Sequence, residues 1–237
     1  QKFNKNSNTK ISKNNNSENF DLNDRNASKS SSILKLQSNQ TIVSGKHSTL
    51  AALKNPNRNL FYLITTEEHK ISWENEIKEI GLTIEIKTRK KEELDTINNH
   101  KPHQNIILVT QLLERISLDE FLMKNKNASK SPLRLIILDQ VTDPQNVGAI
   151  IRSAYAFKMD GVALSQRNSP LETAAMSKAS SGAIEKLDII ELSNMAREIK
   201  KLQQLNFTVY GLANGGETNV FSLENETDNI AIILGSE

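Results

Sequence analysis

The chain contains no cysteine among its 237 residues, and no apolar run approaches the length of a membrane span. The lack of cysteine excludes disulfides and zinc sites built on thiolates, and it fits a reducing compartment. The first residues lack the apolar core of a secretory signal and are too poor in arginine for an organellar transit peptide. We therefore expect a cytoplasmic protein.

Large apolar residues are scarce in residues 1–40, which hold ten Asn and eight Ser. Such a stretch buries too little surface to offset the entropy lost on ordering, so we predict a disordered tail. The tail carries seven Lys or Arg against three Asp or Glu, whereas the remaining 197 residues carry 23 against 25. A basic tail is ordinarily just solvated, and the alternative is a salt-sensitive tether to nucleic acid.

Strand and helix patterns alternate through residues 41–123, which favours a small α/β domain. Its helix SWENEIKEIG, at 72–81, is predicted to end at Gly81 as a C-terminal cap. The polar stretch KNKNASKSP, at 124–132, is predicted to be a linker.

Residues 133–237 predict a larger α/β domain with a mostly parallel, doubly wound sheet. LRLIILD, at 133–139, is a continuous apolar strand, as expected for a sheet covered on both faces. Further strands are predicted at 161–165, 187–192, 207–213 and 229–235, with helices at 145–158, 173–185 and 195–206. The chain stops directly after a strand, and because a complete domain would need a closing helix, we expect a fragment or a truncated product.

The stretch LDQVTDPQNVGAIIRSAYAF, at 138–157, places three distinctive residues around a strand-to-helix turn. Gly148 and Arg152 are four apart, so they share a helix face, and that face lies away from the apolar stripe that runs from Val147 to Phe157. Asn146 can cap the helix, and Arg152 offers fixed donors to a phosphate. Two interpretations stay open: a capped helix with one exposed arginine, or a clamp for phosphate or substrate.

Glycine-rich turns follow two later strands, as GLANGGE at 211–217 and LGSE at 234–237. The backbone of Gly235 can approach a ligand closely, and Glu237 can bind a hydroxyl or orient Arg152, although ordinary turns explain the same residues. The chain has no GxGxxG and no GxxxxGK[ST], which argues against the common dinucleotide and nucleoside triphosphate sites. No histidine pair has metal-ligand spacing, so we predict no metal site, and His100 and His103 are expected on the surface of a loop.

The stretch at 138–157 closely resembles the first signature motif of the SpoU/TrmH family, the knotted RNA ribose 2′-O-methyltransferases. IILGSE resembles the start of the family's second motif. GKHSTLAALKNP, near residue 50, is similar to the opening of the substrate-binding domain in the 23S rRNA guanosine-2′-O-methyltransferase subgroup. The resemblance covers roughly residues 42–237.

This resemblance implies a small RNA-binding domain followed by an αβ-knot domain. It implies S-adenosylmethionine as the methyl donor and a homodimer whose active site is shared between subunits. The proposed catalytic role falls on Arg152, with Asn146 and Glu237 near the target nucleotide. The backbone of Gly235 would touch the cofactor, and the cofactor pocket would begin at three successive residues: Leu212, Ala213 and Asn214.

The family's third motif, which supplies much of the cofactor pocket and of the dimer surface, is absent from residues 1–237. We therefore hypothesise that this chain by itself binds S-adenosylmethionine poorly and is inactive. One open function is a ribose 2′-O-methyltransferase of 23S rRNA, with tRNA as the alternative substrate; the substrate-binding domain favours rRNA, because many tRNA-acting relatives lack it. The other is a catalytically inactive remnant that only binds RNA.

Overall fold

The computed structural model describes residues 34–126, 132–166, 170–213, 216 and 228–235, which form two lobes with one β-sheet each. Residues 1–33, and with them most of the predicted disordered tail, lie outside the described residues. None of the helices in the described part of the chain has both the length and the apolar character that a membrane span requires.

The first lobe is a four-stranded mixed sheet with three helices, which confirms the predicted small α/β unit. Its strands are β1 (Gln40–Ser44), β2 (Leu60–Thr65), β3 (Glu85–Thr88) and β4 (Ile106–Gln111), in the spatial order β1-β4-β2-β3. Its helices are α1 (Lys46–Leu53), α2 (Glu67–Ile80) and α3 (Lys91–Ile97). Strand β4 runs antiparallel to both neighbours, whereas β2 and β3 are parallel.

Helix α2 shows which local signals are reliable. It begins at Glu67, earlier than the predicted start at residue 72, because extended Thr66 precedes two glutamates that favour a helix N-terminus. It ends as predicted, since Gly81 is left-handed at φ 80°. The Leu82 amide then donates to the Ile77 carbonyl at 3.1 Å, a hydrogen bond that closes the last turn of the helix.

One histidine of the first lobe contradicts its predicted place on the surface. His103 is only 3% exposed. Its Nδ1 accepts the Asn105 amide at 3.1 Å, so its Nε2 carries the proton and donates to Asp95 Oδ1 at 2.9 Å. His103 thus closes a loop of the first lobe rather than facing solvent.

The second lobe confirms the predicted doubly wound parallel sheet. The six strands that the structure describes in this lobe are all parallel, in the order β5-β8-β7-β6-β10-β9. They are β5 (Ile116–Ser117), β6 (Arg134–Leu138), β7 (Gly161–Ser165), β8 (Asp188–Leu192), β9 (Phe207–Gly211) and β10 (Asn229–Leu234). The helices are α4 (Leu118–Lys126), α5 (Pro144–Ala156), α6 (Ala174–Ser180) and α7 (Met195–Gln204), with a short 3-10 turn at Ala183–Glu185 after α6.

Helices cover both faces of this sheet, which explains why its strands are apolar on both sides. Helices α5 and α6 pack on one face, where Val147, Ile151 and Met176 are buried against Ile136 and Leu164. Helices α4 and α7 pack on the other face, where Phe121 and Leu202 join the core.

The boundary predicted between the two domains at residue 123 does not match the structure. Strand β5 pairs with β8, and Phe121 of α4 is fully buried in the second lobe. Lys124, predicted to begin the linker, lies in α4 and contacts Asp188 at 2.7 Å. Composition suggested a linker because the segment is polar, but its lysine is held by a carboxylate of the neighbouring strand. Residues 127–131 of the predicted linker lie outside the described residues.

Candidate active site

The candidate site lies at the point where the order in which strands are added to the second sheet reverses. From β6 the chain adds β7 and then β8 on one side, and it later places β10 and β9 on the other side. Strands β6 and β10 are therefore neighbours, and their ends are joined by a hydrogen bond from the Asp139 amide to the Leu234 carbonyl at 2.9 Å. In open parallel sheets, ligands bind outside the carboxyl ends of the strands at such a switch point.

A cleft of about 330 Å³ opens at this switch point. It is lined by the turn after β6, by the first turns of α5 and by the residue that follows β10: Gln140, Val141, Thr142, Asp143, Asn146, Ala149, Ile150 and Gly235. Two predicted site residues from distant parts of the chain, Asn146 and Gly235, thus share one cleft.

The N-terminus of α5 is capped by Asp143, not by Asn146 as we predicted. The Asp143 carboxylate accepts the Gln145 amide at 3.0 Å, and Pro144 occupies the first turn. The dipeptide Asp-Pro was the sequence signal for this cap. Because the cap is already made, the exposed amide of Asn146 is free to face the cleft.

Gln140 is a cleft residue that sequence reasoning missed. Its backbone is left-handed at φ 57°, a conformation that is costly for a residue with a side chain. It stands directly at the carboxyl end of β6, between Asp139 and the turn into α5. No local pattern marks this position, because glutamine is not a residue type that favours a left-handed backbone.

Gly148 has a different role from the predicted one. We expected it on a face of α5 away from the core, but it is buried against α6. A Cβ built on Gly148 would lie 2.5 Å from the Met176 carbonyl oxygen and 2.8 Å from Ala179 Cβ. The glycine therefore permits the close approach of a neighbouring helix, not of a ligand.

Arg152 is exposed, but it does not line the cleft that contains Asn146. The two residues are six positions apart in the helix, which places their side chains about 120° apart around α5. Among the described residues, Arg152 makes no hydrogen bond or ion pair. The structure thus presents the arginine and the asparagine on different sides of the same helix.

The last predicted stripe residue of α5 is also placed differently. Phe157 is 75% exposed instead of buried, and it borders an apolar cleft of about 370 Å³ together with Ile150 and Leu234.

The predicted cofactor residues lie beside the cleft, at the ends of β9 and β10. The Leu212 amide donates to the Ile233 carbonyl at 3.0 Å, and Leu212 is 48% exposed. No atom of the described residues lies within 4 Å of a Cβ built on Gly211 or Gly235, so the space beside both backbones is open. Ala213 is exposed, whereas Asn214 and Glu237 lie outside the described residues. Within the part of the chain that the structure describes, no group of three His, Cys, Asp or Glu is placed to hold a metal ion.

Two family models match the chain, one for each lobe. The model of the SpoU rRNA Methylase family matches residues 134–237, and the model for RNA 2′-O ribose methyltransferase substrate binding matches residues 42–115. The boundary of the second match agrees with the structure, in which residue 116 already belongs to the second sheet.

Solved structures resemble the fold across both lobes. The SpoU methyltransferase AviRb from Streptomyces viridochromogenes, in complex with AdoMet, aligns with a TM-score of 0.69 at 16% identity, over 91% of this chain and 82% of that chain. An AdoMet-bound rRNA methyltransferase from Sinorhizobium meliloti aligns with a TM-score of 0.67 at 14% identity, over 91% and 79%. At such identities the likeness concerns the fold alone.

Curated relatives share more sequence identity with this chain than these solved structures do. A protein assigned to the TrmH family of tRNA/rRNA methyltransferases in Staphylococcus aureus (strain COL) is 36% identical over 64% of this chain and 60% of that protein. An uncharacterized tRNA/rRNA methyltransferase from Mycobacterium leprae (strain TN) is 30% identical over 82% of this chain and 63% of that protein. The chain thus spans about three fifths of the length of these curated relatives. The two family models, in this order along the chain, and the curated relatives make both lobes similar to the SpoU/TrmH family of RNA methyltransferases.

Proposed function

We propose that this chain is an S-adenosylmethionine-dependent RNA methyltransferase of the cytoplasm that modifies a ribose 2′-hydroxyl, with a guanosine of 23S rRNA as the target. The observation that carries the proposal is the cleft at the switch point between β6 and β10, where Asn146 and Gly235 meet. The two family models support the class of reaction and of substrate.

The residues at the ends of β9 and β10 fit the proposed cofactor. Exposed Leu212 and Ala213 offer an apolar surface, and the open backbones of Gly211 and Gly235 leave room for close approach. We propose that these residues, with Asn214, hold S-adenosylmethionine, which when bound supplies an electrophilic methyl group. AviRb is described as a complex with the same cofactor.

Arg152 is proposed to act on the target nucleotide through its charge. A ribose hydroxyl is a poor nucleophile with a high pKa, so a nearby positive charge favours its deprotonated form. A guanidinium stays protonated, which makes it a poor literal base but a good anchor for a phosphate. We assign Arg152 to phosphate anchoring and to stabilisation of charge on the 2′-oxygen.

Asn146 and Glu237 are proposed to position the same nucleotide. The amide of Asn146 can donate to and accept from a ribose hydroxyl at the mouth of the cleft. The helix cap is made by Asp143, and the Asn146 side chain has no hydrogen-bond partner among the described residues, which supports this role. Glu237 would accept a hydrogen bond from the sugar.

A second copy of the chain is part of the proposal, because Arg152 and Asn146 face different sides of α5. In a homodimer, Arg152 of one copy would reach the cleft of the other copy. A shared site of this kind accounts for an arginine that has no ion pair among the described residues.

Methyl transfer to RNA tests the proposal directly. Tritiated S-adenosylmethionine would be incubated with this chain and with unmodified 23S rRNA or bulk tRNA, and the position of the label would be read by resistance to alkaline hydrolysis. Label at a ribose of rRNA would support the proposal, whereas no label in either RNA is the result expected if this chain by itself is inactive. Arg152→Ala should lower the rate about a hundredfold, the usual effect of removing one stabilising donor. Arg197→Ala, at an exposed arginine of α7, is the matched control and should leave the rate unchanged.

The alternatives give different results. Label in tRNA and not in rRNA would replace the substrate and keep the reaction. RNA binding without S-adenosylmethionine binding, measured by calorimetric titration, would contradict the enzyme and support a non-catalytic RNA-binding protein. An Arg152→Ala variant with full activity would remove the role assigned to that residue.

A further inference from the structure

The two lobes meet along α6 in a close-packed contact. Ser48 Oγ of α1 donates to the Ser177 carbonyl at 2.9 Å, and Thr41 Oγ1 of β1 donates to the Glu172 carbonyl at 3.3 Å. A Cβ built on Gly182, just after α6, would lie 2.5 Å from Ala51 Cβ of α1. The lobes therefore touch at van der Waals distance.

A buried cluster of three charged side chains lies within this contact. Arg58 of the first lobe is 1% exposed, and its partners in the second lobe, Glu172 and Glu185, are 5% and 2% exposed. Arg58 Nη2 lies 2.5 Å from one oxygen of each carboxylate. Nη1 reaches the second oxygen of Glu172 at 2.8 Å, and Nε reaches the second oxygen of Glu185 at 3.1 Å. The guanidinium thus binds both carboxylates in bidentate fashion.

Neutral groups form further hydrogen bonds with the guanidinium and the two carboxylates of the cluster. Arg58 Nη1 also donates to the Gln111 carbonyl at 2.7 Å. Glu172 accepts the Leu113 amide at 2.9 Å and the Ser177 hydroxyl at 3.0 Å. Asn55 Nδ2 donates to Glu185 at 2.8 Å. The loop before β2, the end of β4 and the segment around α6 are therefore held at one point.

The contacts of Arg58 favour the charged form of its guanidinium. Burial is the largest single influence and lowers the pKa of Arg58, but hydrogen bonds and charge attraction to Glu172 and Glu185 together outweigh it, so the pKa lies above its ordinary value. One arginine and two carboxylates leave a formal charge of −1, and the partly buried Arg115 lies close enough to Glu172 to interact with it. The two carboxylates are thus held together by Arg58 and repel each other without it.

A buried ion cluster of this kind contributes more to a unique arrangement than to net stability. The desolvation of three charges offsets most of their attraction, so well-packed neutral replacements are often equally stable. Bidentate guanidinium–carboxylate pairs, however, accept only a narrow range of orientations. The cluster is therefore suited to set the angle between the lobes.

The same contact is connected to the helix that carries the candidate site residues. Glu172 immediately precedes α6, and Ser177 lies within it. Helix α6 in turn packs on α5 at Gly148, where no side chain separates the two backbones. Any rotation of the first lobe that moves α6 must also move α5, and with it Asn146 and Arg152.

We propose that Arg58 is a positioning residue. Its cluster with Glu172 and Glu185 fixes the orientation of the first lobe relative to the second, and it also fixes the position of α5. Its consequence for RNA rests on the proposed function: RNA held by the first lobe is presented to the switch-point cleft at one angle. A long RNA that touches both lobes then gains from two linked contacts, whereas a short RNA that touches one lobe does not.

The orientation can be measured without RNA or cofactor. The chain has no cysteine, so spin labels can be attached through Ile71→Cys in the first lobe and Met123→Cys in the second. Both positions are more than two thirds exposed, at 71% and 73%. Labelled chain is diluted with an excess of unlabelled chain, so that distances between the copies of a dimer do not contribute, and double electron–electron resonance should then give one narrow distance peak. Arg58→Met should lose that narrow peak, whereas the control Arg152→Met should keep it.

A second variant separates orientation from folding. The combined substitution R58M/E172Q/E185Q removes all three charges, so it avoids unpaired buried carboxylates if Arg58→Met alone fails to fold. We expect this neutral variant to fold with near-normal circular dichroism and still to lose the narrow peak. A narrow peak in the folded neutral variant would overturn the inference.

The affinities of the same variants for RNA test the consequence of the proposal for function. We expect the neutral variant to bind a long 23S rRNA fragment about tenfold more weakly than the unsubstituted chain, with unchanged affinity for fragments of roughly ten nucleotides. Equal losses for both lengths would contradict the positioning role. Failure of the unsubstituted chain to bind any RNA would contradict the proposed function instead, while the distance peaks would still decide the inference.

Discussion

Two arginines of this chain occupy opposite environments. Arg58 is buried between the lobes, and its hydrogen bonds go to two carboxylates and a carbonyl. Arg152 is exposed on α5 and makes no ion pair or hydrogen bond within the described residues. The donors of Arg58 are bonded within the protein, whereas those of Arg152 have no partner among the described residues and are available to a ligand.

The difference separates structural from functional use of the same side chain. A guanidinium whose donors are satisfied inside the protein cannot bind a phosphate without breaking buried contacts, which costs several kcal/mol. An exposed guanidinium binds an anion at no such cost. Position within the fold, more than residue type, therefore assigns Arg58 to the lobe contact and makes Arg152 available to a ligand.

The same substitution at both arginines gives the largest expected contrast. Arg58→Met should lower the free energy of unfolding by about 3–5 kcal/mol, because it leaves buried carboxylates without their cation. Arg152→Met should change it by no more than about 0.5 kcal/mol, because the side chain is exposed and unpaired. Urea denaturation followed by circular dichroism measures both. Equal effects of the two substitutions on the free energy of unfolding would contradict the different roles assigned to Arg58 and Arg152.

A pair of glycines provides the next contrast. Gly148→Ala should destabilise the chain by about 1–3 kcal/mol, because the new methyl group meets the Met176 carbonyl and forces α5 away from α6. Gly211→Ala is the matched control: no described atom lies within 4 Å of its Cβ, so we expect little change. Urea midpoints of the two variants test this, and a neutral Gly148→Ala would show that the helix pair has room to separate.

The smallest expected effect concerns an exposed carboxylate at the start of α4. Glu120 has a pKa below its ordinary value, because its carboxylate accepts the backbone amide of Ser117 and, secondly, the Ser117 hydroxyl. A pKa that is lowered by folding contributes stability above the ordinary glutamate pKa, and this stability is lost as the pH falls through the folded pKa. Glu120→Gln should therefore cost a little stability at neutral pH and nothing in strong acid.

Urea unfolding of the Glu120→Gln variant at several pH values measures whether its loss of stability disappears as the pH falls. The control is Glu74→Gln, at an exposed glutamate of α2 that makes no hydrogen bond or ion pair within the described residues. Its substitution should leave the free energy of unfolding unchanged at neutral pH. A cost of Glu120→Gln that stays constant down to acid pH would show that the carboxylate charge is not what matters.

The order of elements was largely predictable from the sequence. Apolar strands such as β6 and β10 stand out because a parallel sheet is buried on both faces, and Gly81 marks a helix end because it tolerates a left-handed backbone. Errors arose at positions that local pattern does not decide. The helix cap was assigned to Asn146, although the Asp-Pro pair before it was the stronger signal.

The sequence by itself determined the alternation of strands and helices, the two lobes and the motifs that resemble those of the SpoU/TrmH family. Only the tertiary structure decided which residues meet. It brought Asn146 beside Gly235 by placing β10 next to β6, set Gly148 against α6, and gave Arg58 two carboxylates more than 110 residues away in sequence. The physical reason is that periodicity reports which face of an element is apolar, whereas strand order and helix packing determine what covers that face.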